Sequence, residues 1–149
     1  MNEKTKIYFL PIEEPRLDYV SKAVQKGMKF LDEFCRDSDD AKDVILYAWS
    51  KQDVPNYFRE SFNQDAIKIL TEGKTLRGSN STIKLVSHET FSPSSDNKII
   101  FSAYPNKKML DDISDAINGD TVEAVIIVND EKKSESWLTK WAPNLQKVD

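Results

Sequence analysis

Five apolar runs of strand length, four of them set off by stretches with helical periodicity, constrain this chain more than any other feature. Residues 6–12 (KIYFLPI), 44–49 (VILYAW), 82–87 (TIKLVS), 98–104 (KIIFSAY) and 122–128 (VEAVIIV) are short and rich in β-branched and aromatic side chains. After the first run, Leu17, Val20, Val24, Met28, Leu31 and Phe34/Cys35 recur at intervals of three and four, as on one face of an amphipathic helix. After the second, Asp53 and Pro55 open a helix whose apolar face is Phe58, Phe62, Ala66, Ile69 and Leu70, with Gly73 as its stop. Asn106 caps a third helix carrying Met109, Leu110, Ile113, Ala116 and Ile117, and residues 134–142 form a fourth, ended near Pro143.

The resulting order, β-α-β-α-β-β-α-β-α, predicts a three-layer α/β/α sandwich, Rossmann-like in general shape, with about five strands in a mostly parallel, mixed sheet. The one break in the alternation is HETFSPSSDN, a turn-rich stretch between the third and fourth runs. Two strands joined without a crossover helix are most simply antiparallel, so 82–87 is expected to run against 98–104. A chain of 149 residues fits a single α/β domain over 1–149, large enough to build its core without disulfides or metals.

Charge and cysteine content narrow the classes of function. A net charge of −4 argues against nucleic acid, whose binding rests on neutralised phosphates. The single cysteine, Cys35, rules out an internal disulfide and fits a reducing cytoplasm. No apolar run reaches the ~20 residues of a membrane helix. The six-residue apolar stretch near the N-terminus is too short for a signal peptide, and no small-residue cleavage site follows it. Asn80-Ser81-Thr82 matches a glycosylation acceptor, which has no meaning in a cytoplasmic chain.

In open α/β sheets ligands bind beyond the carboxyl ends of the parallel strands. Glu13 and Glu14, Asp53, Asn106 and Lys107, and Asp130 all fall in loops expected there. A reversed third strand adds the loop of Arg77 to that edge and sends His88 to the opposite one. His88, the only histidine, is therefore read as a surface or capping residue at a strand end, not a catalytic one. The first strand leads into PIEEPR, with no glycine where a dinucleotide fold has its phosphate turn, and no P-loop or G-x-S-x-G elbow occurs. DSDDAKD lacks the alternation and glycine of an EF-hand loop, so no metal-binding motif is present. Cys35 lies on an apolar stripe, as a buried inert thiol does.

Trp137 and Trp141 lie one helical turn apart and share a face. That face either covers the sheet or, if exposed, anchors a protein interface. The reading these features favour is a small cytoplasmic binding or regulatory module. Its partner is a protein or a small anionic or metal ligand, and a homodimer is compatible with it. The rival is a metal-assisted hydrolase or phosphoryl-transfer enzyme, with Glu13, Asp53 and Asp130 as carboxylates and Arg77 or Lys107 as electrophile. The sequence singles out no cofactor.

Overall fold

The computed structural model describes residues 5–92 and 99–148, so Lys98, expected to open the fourth strand, lies outside them. The five apolar runs form β1 (Lys6–Pro11), β2 (Lys42–Tyr47), β4 (Ser81–Val86), β5 (Ile99–Ala103) and β6 (Ala124–Asn129). Two three-residue strands, β3 (Leu76–Gly78) and β7 (Leu145–Lys147), complete a seven-stranded sheet of order β3-β4-β2-β5-β6-β1-β7. Every pairing is parallel except β3 with β4.

Residues alternate between the two faces along each strand, and each face has its own core. Tyr8, Leu10, Val44, Leu46, Phe101, Ile126 and Val128 meet α1 (Leu17–Arg36), α2 (Val54–Tyr57) and α3 (Gln64–Thr71). Ile7, Phe9, Tyr47, Ile100, Val125 and Ile127 meet α4 (Lys107–Asn118) and α5 (Glu135–Lys140). The α/β layering expected from the alternation is present, with helices on both faces of a mostly parallel sheet. No helix among the described residues is long and apolar enough to cross a membrane.

Helix α1 comes close to the sheet because Gly27 is buried under it. A Cβ at Gly27 would lie 3.0 Å from the Phe101 ring and 3.0 Å from Val128 Cγ2. The apolar stripe of α1 thus turns on a bare position, with Val20, Val24 and Leu31 buried around it and Leu17 left 40% exposed.

Three expectations are corrected. First, 82–87 does not run against 98–104. β4 and β5 flank β2 on its two sides and both are parallel to it. In the described part of the connection, the Phe91 ring stacks on Tyr47 on the second face at 4.3 Å and 10°. The reversed strand is β3, read from the sequence as loop. Second, the helix expected from Asp53 to Leu70 breaks in two. A 3-10 turn (Lys51–Asp53) leads into the single turn of α2. Asn63 then caps α3 afresh, its Oδ1 accepting from Ala66 N at 2.8 Å. Third, the sheet has seven strands, because two short polar segments pair with its margins.

Candidate functional site

With β4 parallel to β2, the carboxyl edge of the sheet gathers the loops after β1, β2, β4, β5 and β6. His88 therefore sits at that edge, which corrects its expected separation from the other candidates. Arg77 goes the other way. It pairs with Thr82 near the start of β4, so the hairpin of Arg77 lies at the amino edge, away from every other candidate. The premise that brought it to the site was the reversal of β4.

Connections from neighbouring strands leave towards opposite faces between β2 and β5. The chain from β2 enters α2 on the first face, and the chain from β5 enters α4 on the second. Such a switch point opens the crevice where α/β proteins place ligands. The residues around it are aromatic. Trp49, just beyond β2, is 38% exposed, and among the described residues Leu17 is the other large apolar side chain exposed to that degree. The His88 ring stacks on Trp49 with centroids 3.6 Å apart and planes 5° from parallel. A short hydrogen bond from His88 Nδ1 to the Trp49 carbonyl fixes the pair. A carbonyl only accepts, so Nδ1 is the donor, and Nε2 takes no part in that bond. Glu89 Oε1 lies 3.9 Å from that Nε2.

Tyr104, just beyond β5, has φ +53, a left-handed conformation that a bulky side chain rarely adopts. Among the described residues the other non-glycine positions with positive φ are Asn80 and Asp120, types suited to it. Tyr104 N donates to Val128 O at 2.7 Å, its ring meets Tyr57 edge-on at 6.0 Å, and its hydroxyl accepts from Lys133 Nζ at 3.0 Å. That bond raises the Lys133 ammonium above its usual range. Burial, then the charges of Asp53 and Tyr104, raise the Tyr57 phenol.

The polar candidates at this edge serve the backbone. Asp53 Oδ2 accepts from Ser50 N at 3.4 Å, closing the turn after β2. Asn106 Oδ1 accepts from Met109 N at 3.0 Å and caps α4, as its position predicts. Asp130 Oδ1 accepts from Lys132 N at 2.9 Å and Lys133 N at 3.3 Å, closing the turn that leads into α5. Glu13, Glu14 and Lys107 are exposed, and Glu14 pairs with Arg16 at 3.4 Å. Among the described residues, no three His, Cys, Asp or Glu side chains converge as a metal site would need. Cys35 is free and buried, and burial is the main cause that raises its thiol.

Asn129, expected with Asp130 to face the other strand ends but given no role of its own, is 1% exposed at the end of β6. Its Nδ2 donates to Pro105 O at 3.1 Å and Ser134 Oγ at 2.8 Å, and its Oδ1 accepts from Asp130 N at 2.9 Å. One amide ties the β5 loop, the β6 loop and the approach to α5 together. The available signal was an amide ending an otherwise apolar central strand, where a buried polar group must find partners.

Trp137 and Trp141 are 7% and 4% exposed, which corrects their candidacy as interface anchors. Their Nε1 atoms donate to Ser114 Oγ at 2.7 and 2.9 Å, and Trp137 also donates to Leu110 O. Ser114 offers the lone pairs that let both indoles face inward on α4.

Among the described residues two hollows stand out, and neither is lined by Trp49, His88 or Tyr104. One, of about 560 Å3, lies between α1, residues 60–66 and the β3–β4 hairpin. The other, of about 700 Å3, lies against α2 and α3. Compared with protein-family models, with curated proteins and with solved structures, the chain matches none.

Proposed function

We propose that this chain is a non-catalytic binding module that recognises a protein partner through the carboxyl edge of its sheet. The observation that carries the reading is Trp49, exposed at a strand end and held flat by the His88 ring. At 38% exposure it offers a partner about 80 Å2 of the ~200 Å2 of a tryptophan, worth about 2 kcal/mol when buried. The stack has already fixed the ring, so little side-chain entropy remains to be lost on binding. Tyr57, Tyr104 and Leu17 also belong to loops and helix starts at this edge, as do the charged Glu13, Lys107 and Lys133. An aromatic centre with a polar rim is the make-up of a protein interface. Strained Tyr104 adds support, since such conformations persist where the surroundings hold a side chain in place for use. Metal-assisted hydrolysis draws no support from carboxylates that are dispersed and bonded to backbone N–H groups.

The test uses wild type, Trp49→Ala and, as a control from the far edge, Arg77→Ala as baits in a lysate of the native host. The expected result is a protein retained by wild type and Arg77→Ala and lost by Trp49→Ala, whose purified complex shields Trp49 from acrylamide quenching. Equal retention by Trp49→Ala, or unchanged quenching in the complex, overturns the reading.

A further inference from the structure

Helix α3 has a second working side, turned away from Ala66 and the buried Leu70. Gln64, Ile67, Lys68 and Thr71 recur there at i, i+3, i+4 and i+7, and all four line the hollow of about 700 Å3. The rest of its lining is Pro55 of α2, Arg59 just after that helix, and Phe62 and Asn63 ahead of α3. Trp49, His88 and Tyr104 take no part, so the hollow is separate from the edge proposed to bind a protein.

The charges in this lining have one sign. Arg59 and Lys68 are its charged side chains, and neither forms an ion pair among the described residues. The acids nearest in sequence lie elsewhere. Glu60 lines the hollow of about 560 Å3, Glu72 Oε1 is 3.6 Å from Lys74 Nζ, and Asp65 is outside the lining. Asn63 adds to the same bias. Its Oδ1 accepts from Ala66 N at 2.8 Å, and its Nδ2 has no partner among the described residues. In a chain of net charge −4, two cations without an acid are a local exception, and their field attracts an anion.

Apolar surface adjoins the cations. Ile67 is half-buried on this outward side of α3, and the half-buried Phe62 ring stacks on Phe58 at 5.8 Å and 23°. A ring already held has little freedom left to lose when a ligand covers it.

We propose that this hollow binds a small amphipathic anion, a carboxylate on a short hydrocarbon or aromatic body. Arg59 and Lys68 hold the carboxylate, and Pro55, Phe62 and Ile67 cover the body. A guanidinium offers a carboxylate two parallel N–H donors, and the ammonium adds a point charge. The volume falls in the range of small-molecule sites, roughly 300–1,000 Å3. An uncharged analogue forfeits the charge-assisted bonds, a cationic one meets two like charges, and a bare inorganic anion leaves the apolar surface wet.

The probes are 4-phenylbutyrate, 4-phenylbutan-1-ol, 4-phenylbutylamine and inorganic phosphate, titrated into the 15N-labelled full chain. The expected result is shifts with the carboxylate confined to the amides of Arg59, Phe62, Gln64, Ile67, Lys68 and Thr71, with the other three probes about tenfold weaker or worse. The double variant Arg59→Gln/Lys68→Gln is expected to weaken the carboxylate about tenfold and leave the alcohol unchanged. Both side chains are exposed, so its unfolding midpoint should match that of wild type. That split separates a loss of the anion's partners from a loss of the fold. No localised shifts with the carboxylate, equal binding of the alcohol, amine or phosphate, or unchanged affinity in the double variant overturns the proposal.

Discussion

Asn129→Ala is the perturbation whose consequence can be worked most fully. The side chain is 1% exposed and makes three hydrogen bonds, to Pro105 O, Ser134 Oγ and Asp130 N, at 3.1, 2.8 and 2.9 Å. Alanine keeps the backbone, so the bond from Ile12 N to Asn129 O at 3.0 Å and the pairing with Pro11 survive. Ser134 still donates to Asp130 O at 2.9 Å and loses only an incoming bond. Asp130 is half-buried, so water can replace part of what its N–H loses. Three bonds at about 1 kcal/mol each give a loss of about 3 kcal/mol, out of a total of roughly 5–15 for a domain. At about 2–4 °C per kcal/mol for a chain of this size, the midpoint should fall by about 6–12 °C. Urea unfolding followed by far-UV circular dichroism measures the loss, with an unchanged slope showing that the native state is otherwise intact. Hydrogen exchange at Lys132 and Lys133 should quicken in parallel, because Asn129 positions the turn that holds them. A loss under about 1 kcal/mol, or unchanged exchange in that turn, refutes the clamp.

Asp130→Ala should lower stability by about 0.5–2 kcal/mol, as loss of a side-chain acceptor for turn N–H groups does, and urea midpoints check it. His88→Ala should cost about 1 kcal/mol, beyond the ~0.5 of an ordinary surface change, and should raise acrylamide quenching of Trp49, since it removes the stack at 3.6 Å. Burial first, then the 2.6 Å hydrogen bond to Asp112 and its charge, push the Tyr47 phenol far above its usual value. The unfolded chain releases that proton near pH ~10 and the folded chain does not, so stability complete below ~10 falls as pH rises past it; Tyr47→Phe should flatten part of that decline in urea midpoints measured from about pH 8 to about pH 11.

The legible part of the fold was whatever a local pattern determines. All six residues of β6 are buried, as a central parallel strand requires, and a continuous apolar run announces that. Asn106 announces its cap by its position before an amphipathic stretch. Strands β3 (LRG) and β7 (LQK) carry no such signal, because each exists only where the sheet offers it an edge. The direction of β4 was inferred from the missing helix in the connection to β5. What decides it is partner choice across the sheet, with Phe91 stacked on Tyr47 forty-four residues away in sequence. That error moved two site residues at once, bringing Arg77 in and sending His88 out. The tryptophans exchanged roles for a similar reason. Trp49 closes an apolar run of strand length and yet is exposed, whereas Trp137 and Trp141 owe their burial to Ser114, a long-range acceptor.

The carboxyl edge of a parallel sheet leaves the amides of every departing loop in need of acceptors. Here Asp53, Asn106, Asn129 and Asp130 meet that need at Ser50, Met109, Asp130, Lys132 and Lys133. For any of the four to take a metal or a reacting group instead, it would have to release a backbone N–H, at roughly 1–3 kcal/mol wherever water could not take its place. The aromatic side chains carry no such obligation. Trp49 keeps over a third of its surface in solvent, stacked on a His88 ring that is fixed through Nδ1. Polar groups that hold the loops still and aromatic groups that the loops hold out are different parts of one arrangement. Rigid loops cost a partner less ordering on association, and a planar ring presented by them contributes most of its burial to affinity. The break after β6 that looked from the sequence like a binding residue, Asp130, belongs to the first kind, and the end of β2 at Trp49 belongs to the second.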